Sequence, residues 1–258
     1  MTNVALQGIT ILGTFQSMLI NHLNDPLGQA VLEYLETTVS QDIIVKSDLA
    51  DDDVIPSEYL FRSLKEMPEM EQVALKHVKG KTLDVGAGAG AHSILLKDKV
   101  DLKSIDVSPG CVEVLQKRGI TNVEQADFFE LKNQKYDTIL MLMNGIGIVG
   151  DLKGLDNFFK HVKTILEPEG QILLDSSDIQ YIYLQDDGSM LVDLNSEYHG
   201  ITTYNLEYKG VIGKPFSWLF VDLDTLEKAG RKNGYKTEVI HTGNHHDFLV
   251  KITLDFHI

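Results

Sequence analysis

An α/β fold built on a doubly wound, mostly parallel seven-stranded sheet is predicted by three features of this 258-residue chain. From Lys81 to Ser177, five short β-rich runs alternate with helical stretches, the pattern of parallel strands joined by crossover helices. The fourth run, YDTILMLMN, is apolar on both faces, as a strand covered by helices on both sides must be. Beyond Asp175 the rhythm changes to alternating runs separated by turns, which predicts an antiparallel end. With 43% hydrophobic residues the chain can bury a sizeable core, as one large domain or a domain with a cap.

The first twenty residues, MTNVALQGITILGTFQSMLI, lack the basic start and the cleavage pattern of a signal peptide, and Gln7 and Gln16 interrupt any membrane span. Their spacing (Ile9, Leu12, Phe15, Leu19, Leu23) predicts an amphipathic helix lying on the domain, and a cytoplasmic protein is expected. Residues 1–75 hold no glycine-rich motif and no repeat, and read as a helical cap over the sheet's ligand edge. Residues 76–258 read as the binding domain. Its parallel strands are KTLDVG, DLKSIDV, NVEQAD, YDTILMLMN and GQILLDSS. Between them AHSILLKDK, SPGCVEVLQKRG and LDNFFKHVKTILEPEG have helical periodicity with glycine or proline stops. YHGITTYNLEYKG and PFSWLFVD follow as antiparallel strands, and DTLEKAGRKNG as a helix ending on glycine. YKTEVIHTG and HDFLVKITLDF close the chain as a strand pair turning near Gly243 and Asn244.

Acidic residues outnumber basic ones by 38 to 23, and the formal net charge of −15 repels a phosphate backbone and anionic lipid alike. Nucleic acid and membrane are therefore not expected as partners. A single cysteine, Cys111, precludes an internal disulfide and suits a reducing compartment.

The chemistry concentrates in KTLDVGAGAGAHS, where Gly86, Gly88 and Gly90 follow a strand closed by Asp84. Alternate glycines at a strand-to-helix turn permit positive φ and let a nucleotide-like ligand approach the backbone. Twenty residues past Gly86 the second strand ends in Asp106, a carboxylate suited to both hydroxyls of a ribose. The third ends in Asp127-Phe128, a polar group and an aromatic edge suited to adenine. The fourth ends in Asn144-Gly145. Gly86, Gly88 and Ala91 also satisfy the looser dinucleotide fingerprint, so a nicotinamide-dependent oxidoreductase stays open on these residues alone. So does a non-catalytic protein that binds adenosyl ligands.

In LDVGAGAG, Asp106, Asp127-Phe128, YDTILMLMN, LEPEGQILLDSS and the final hairpin, the chain resembles class I S-adenosylmethionine-dependent methyltransferases with their Rossmann-like fold. The resemblance covers about residues 76–258. It implies S-adenosylmethionine as cofactor, with Gly86, Ala87, Gly88 and Gly90 beneath its methionine part and Asp84 holding the loop or reaching the methionine ammonium. It implies Asp106 and Val107 at the ribose, Asp127 and Phe128 at the adenine, and Asn144 at the cofactor beside the reaction centre as the candidate catalytic group. The Asn-Pro-Pro-Tyr motif of amino-group methylases is replaced by Asn-Gly-Ile-Gly, which weakens a nucleobase or protein-amide acceptor. A small-molecule acceptor is expected.

Other residues carry two readings each. Tyr59 and Arg62 share a helix face in PSEYLFRS, as substrate contacts or as packing between cap and body. Trp218 reads as a substrate wall or a strand packing residue, and Asn144 as an active-site group or a turn residue. His245, His246 and Asp247 are neighbours that a strand would point to opposite faces, so no metal site is expected.

Overall fold

The structure, a computed structural model, describes residues 19–183, 187 and 197–256. The helix expected through Ile9, Leu12 and Phe15 lies outside the described residues; Leu23, at its predicted end, stands on a short 3-10 turn (His22–Asn24) with 83% of its surface exposed. Helix α1 (Pro26–Thr37) starts where Asp25 accepts from Gly28 N at 2.8 Å and Pro26 supplies a preset first turn. Strands β1 (Ile43–Ser47) and β2 (Asp53–Ile55), a 3-10 turn (Ser57–Phe61) and helix α2 (Glu69–His77) follow. The segment is thus helical only in part. The β-branched run Ile43-Ile44-Val45 favours a strand, and it finds partners on both edges.

The five predicted parallel strands are β3 (Lys81–Val85), β4 (Asp101–Asp106), β5 (Val123–Gln125), β6 (Tyr136–Met141) and β7 (Leu166–Ser177). Helices α3 (Ser93–Leu96), α4 (Pro109–Lys117) and α5 (Leu152–Ile165) lie in the crossovers. Helix α3 is one turn rather than the stretch expected over 91–99, because after Leu96 the bonding tightens, with Lys99 N donating to Leu96 O at 2.8 Å. The chain then forms β8 (Ile201–Tyr208), β9 (Val211–Ile212), β10 (Phe216–Leu219), α6 (Leu223–Lys232), β11 (Tyr235–Thr242) and β12 (Asp247–Leu254).

The main sheet has the order β11-β12-β7-β6-β3-β4-β5, with β12 antiparallel to both β7 and β11 and the remaining pairs parallel. This is the predicted doubly wound, Rossmann-like sheet with its antiparallel end. Phe158, Phe159 and Val162 of α5 fill one face against Ile139, Ile172 and Val250, while Ala74, Leu96 and Leu115 cover the other against Leu140 and Leu173. The chain leaves β3 toward β4 on one side and returns to β6 on the other. A crevice therefore opens at the carboxyl ends of these strands, where ligands bind in such sheets.

Strands β8 and β10 are antiparallel, as predicted, but belong to a second sheet of order β10-β8-β1-β2, with β9 on β8. Residues Ile44–Ser47 pair with Tyr204–Glu207, so the N-terminal segment and the chain after residue 200 share one sheet. The segment is also fastened to the main sheet. Asp25 Oδ2 accepts from Ser108 Oγ (2.7 Å) and Gly110 N (3.0 Å), so one buried carboxylate caps α1 and the start of α4 together. Nearer the chain start, Ile20 N donates to Val107 O (3.1 Å) and Gln125 Nε2 to Ile20 O (2.7 Å), laying this strand of chain across the ends of β4 and β5.

Where α1 meets α4, a Cβ on Gly110 would lie 2.5 Å from Gly28 Cα, so the two backbones touch. Gly110→Ala is expected to force them apart at about 1–3 kcal/mol. That loss lowers the melting temperature by on the order of 2–10 °C. A thermal melt checks it; an unchanged transition would mean that the contact carries no stability. Among the described residues no helix is long and apolar enough to cross a membrane.

Candidate active site

Past Val85 the chain turns through Gly86, Gly88 and Gly90 at φ +67°, +56° and +84°. The three do different work. A Cβ on Gly86 would meet nothing within 4 Å, and on Gly88 only Gly86 O at 4.0 Å, so these two keep open space above a left-handed backbone. A Cβ on Gly90 would strike Leu115 Cδ2 at 2.6 Å; this glycine lets α4 pack against the loop.

The loop is tied to the strand ends by carboxylates. Asp84 is buried and accepts from Ser93 Oγ at 2.5 Å, which in turn meets Ser104 Oγ at 2.8 Å; burial pushes the Asp84 carboxyl above its ordinary pKa. Asp106 accepts from Gly88 N (2.8 Å) on one oxygen and Ser108 N (2.9 Å) on the other. Burial raises its pKa to about 6, with Asp25 and Asp84 adding to the rise and the two N–H groups resisting it. Two of the carboxylate's roughly four lone-pair positions are thereby used. Val107, beside it, presents its carbonyl to Ile20 N and Gln125 Nε2.

Asp127 accepts from Phe129 N (2.9 Å) and caps the 3-10 turn Phe128–Glu130. Beside it lies a cleft of about 190 Å³ between Leu19, Gln125, Glu130 and Leu131. Phe128 departs from expectation: the residue is only 3% exposed and its ring stacks on Phe158 with centroids 5.7 Å apart, because the turn after Asp127 rotates it into the apolar layer under α5. The apolar side of this cleft comes from Leu19 and Leu131 instead.

Beyond β6, Met143 and Asn144 stand consecutively in the left-handed region, at φ +62° and +53°. Such conformations are costly for non-glycine residues and cluster at functional sites. Asn144 N points at both oxygens of Asp175, 3.1 Å from each, and its Nδ2 donates to Leu219 O at 3.2 Å. Its Oδ1 is buried without a partner. Asp175, partly buried near the end of β7, has a pKa raised to about 7 by burial, with Glu71 pushing it up and the Asn144 N–H and His92 holding it down. Trp218 of β10 lies over the turn that follows Asn144; a Cβ on Gly147 would be 2.1 Å from its Nε1. It packs on that turn and stands near Asn144.

Tyr59 and Arg62 are together, though on a 3-10 turn and its cap rather than on a helix face. The Arg62 guanidinium lies 4.4 Å from the Tyr59 ring centroid and is buried, with Nη2 2.6 Å from Glu71 Oε2. His92 Nε2 meets the same oxygen at 2.6 Å. Burial alone would raise the Glu71 pKa; His92 and Arg62 outweigh it and hold the carboxyl below its ordinary value. Through Glu71, the turn carrying Arg62 and helix α2 are tied to His92, just past the glycine loop.

Glu71, His92 and Asp175 are site residues that no motif of the sequence singles out by itself. For Asp175 a signal exists in the pattern itself: KTLD, SID, EQAD and ILLD each bring an aspartate to the ligand end of a strand. Among the described residues no group of three or more His, Cys, Asp or Glu side chains is placed to hold a metal ion.

A family model described as a methyltransferase domain matches residues 82–170. A solved structure of an S-adenosylmethionine-dependent methyltransferase from Bacteroides fragilis, in complex with S-adenosyl-L-homocysteine, is 38% identical over 93% of this chain and 99% of that one, with a TM-score of 0.88. The CcbJ methyltransferase from Streptomyces caelestis is 12% identical over 74% of this chain and 94% of its own, with a TM-score of 0.56. An S-adenosylmethionine-dependent methyltransferase from Clostridium acetobutylicum is 15% identical over 72% of this chain and 88% of its own, with a TM-score of 0.50. No curated protein matches the sequence.

Proposed function

Because this chain belongs to the S-adenosylmethionine-dependent methyltransferases, we propose that it methylates a small molecule held between the carboxyl ends of β6 and β7 and the second sheet. The enzyme uses S-adenosylmethionine, and the oxidoreductase alternative falls. The observation that carries the reading is the open cradle over Gly86 and Gly88, tied through Gly88 N to Asp106.

In this reading Gly86, Ala87, Gly88 and Gly90 support the methionine part of the cofactor, and Asp84 holds the loop through Ser93. Asp106 and Val107 face the ribose, and the remaining lone pairs of Asp106 accept its hydroxyls. Asp127 and the cleft beside it take the adenine, with the buried Phe128 acting from beneath as packing. Asn144 lies beside the reacting methyl. Bound S-adenosylmethionine supplies a methyl group on a sulfonium, so the protein's part is to align the nucleophile, exclude water and accept a proton where one must leave. The N-terminal segment, proposed as a cap on the domain of residues 76–258, closes the adenosine side at Ile20. A charge of −15 and the absence of the Asn-Pro-Pro-Tyr pattern favour a small acceptor over nucleic acid. A ligand at a hundredfold excess over its Kd stabilises the fold by about 2.7 kcal/mol. S-adenosylhomocysteine is thus expected to raise the melting temperature by on the order of 5–10 °C, and NAD to leave it unchanged. The reverse ranking overturns the proposal.

A further inference from the structure

We propose that the methyl acceptor is an amine, bound as an ammonium between the Asp175 carboxylate and the free Oδ1 of Asn144, with Asp175 taking the proton that frees the nitrogen lone pair. The inference rests on the cofactor placement above and adds the class of acceptor and a base.

The geometry brings together two acceptors, the Asp175 carboxylate and Asn144 Oδ1. Asn144 N shares its hydrogen between both Asp175 oxygens at 3.1 Å, which brings the carboxylate to the residue expected beside the reacting methyl. The Asn144 side chain is held by Nδ2 on Leu219 O, so its orientation is fixed and Oδ1 is left buried with nothing to accept from. A buried carbonyl oxygen without a partner is rare in a folded protein, and a ligand N–H would satisfy it. Asp175 retains lone-pair capacity beyond the backbone N–H groups of Asn144 and of its own residue. The charges of Arg62 and His92 are directed to Glu71, through Nη2 and Nε2, and among the described residues no cation pairs with Asp175.

A ligand with several N–H groups and a positive charge answers these features together. A carboxylate or phosphate acceptor would be repelled by the Asp175 carboxylate and would leave Asn144 Oδ1 with nothing to accept from. A neutral hydroxyl has one hydrogen for two acceptors. The chain's charge of −15 also concentrates cations around it.

The chemistry then balances. An N–H bond of the ammonium breaks and its proton goes to an Asp175 oxygen. The freed lone pair forms the N–C bond to the methyl group as the carbon–sulfur bond breaks, leaving its electron pair on sulfur. The groups facing Asp175 suit this role: Asn144 N stabilises the carboxylate, Glu71 and His92 oppose one another, and burial brings its pKa to about 7, where a base works at neutral pH. Burial of the ammonium lowers its own pKa toward the same range.

The test is calorimetric titration of benzylamine, benzyl alcohol and benzoate into the full chain saturated with S-adenosylhomocysteine at pH 8. The three probes share a ring and differ in head group. The ammonium is expected to bind at least tenfold more tightly than the other two, to lose about tenfold in Asp175→Asn, and to weaken in the wild type as the pH falls below about 7. S-adenosylhomocysteine affinity in Asp175→Asn should stay within about twofold. The wild-type pH series gives the answer even if that variant does not fold. Equal or tighter binding of the alcohol or benzoate, no saturable binding of benzylamine, or an equal loss of S-adenosylhomocysteine affinity in Asp175→Asn overturns the inference. Failure of S-adenosylhomocysteine to bind the wild type overturns instead the cofactor placement on which it rests.

Discussion

Glu71→Ala is expected to cost on the order of 3–5 kcal/mol of stability, because it leaves Arg62 and His92 buried without the one carboxylate oxygen both depend on. The side chains of Glu71, Arg62 and His92 are only 7%, 2% and 9% exposed, so water cannot replace the lost partner cheaply. Thermal denaturation should fall by roughly 10 °C or more. Glu71→Gln keeps an acceptor and should lie between. Replacing Glu71 and Arg62 together by leucine and methionine should recover much of the loss, since a buried ion pair is often replaceable by apolar packing while half of one is not. If Glu71→Ala melts within a degree or two of wild type, the cluster does not fasten the Arg62 turn and α2 to the chain just past the glycine loop.

The same cluster has a pH signature. Glu71 is held below its ordinary pKa, so its stabilisation is present at neutral pH and lost as the pH falls through its folded value. Asp106 and Asp175 act in the opposite sense. Their folded pKa values are raised to about 6 and about 7, so the folded state holds their protons more tightly, and that contribution is lost as the pH rises through these values. At neutral pH the free enzyme carries buried carboxylates that a ligand's hydrogen bonds would relieve.

The parallel sheet was legible because its signals are local. The strands are short β-rich runs, helices α4, α5 and α6 begin on a capping Ser or Asp (Ser108, Asp151, Asp222), and the glycine loop sits between a strand and a helix. Asp106 could be placed because it ends the strand beside β3, a position fixed by topology. What was illegible depends on pairing across long stretches of chain. IIVKS has a β-branched run and a local partner in β2, but its other edge is covered by β8 some 160 residues later, and nothing within the first 75 residues reports that second partner. Phe128 looked like an adenine wall because sequence gives the order of residues but not the rotation of the turn after Asp127. Glu71 resembles any solvated acid on a helix until Arg62 and His92 close on it.

Asp106→Ala is expected to weaken S-adenosylhomocysteine binding by roughly ten- to a hundredfold. Its unused lone pairs are assigned to the ribose hydroxyls, and charge-assisted hydrogen bonds contribute about 1.5–3 kcal/mol each, though losses at one side chain are seldom additive. At about 1.4 kcal/mol per decade this spans the stated range. The variant also affects the free protein, because Gly88 N and Ser108 N lose their acceptor. A melting shift therefore cannot stand in for affinity, and the measurement is calorimetric titration of each variant at one salt concentration. Asp106→Asn keeps an acceptor for one N–H and should fall between alanine and wild type. Acidity supplies an independent check. The wild-type carboxylate protonates near pH 6 when free and is stabilised as the anion by hydroxyl donors, so affinity should decline as the pH drops below about 6. In Asp106→Asn that decline should flatten. An affinity in Asp106→Ala equal to wild type, with the pH profile unchanged, would move the ribose away from the end of β4 and leave Asp106 as the clasp of the glycine loop alone.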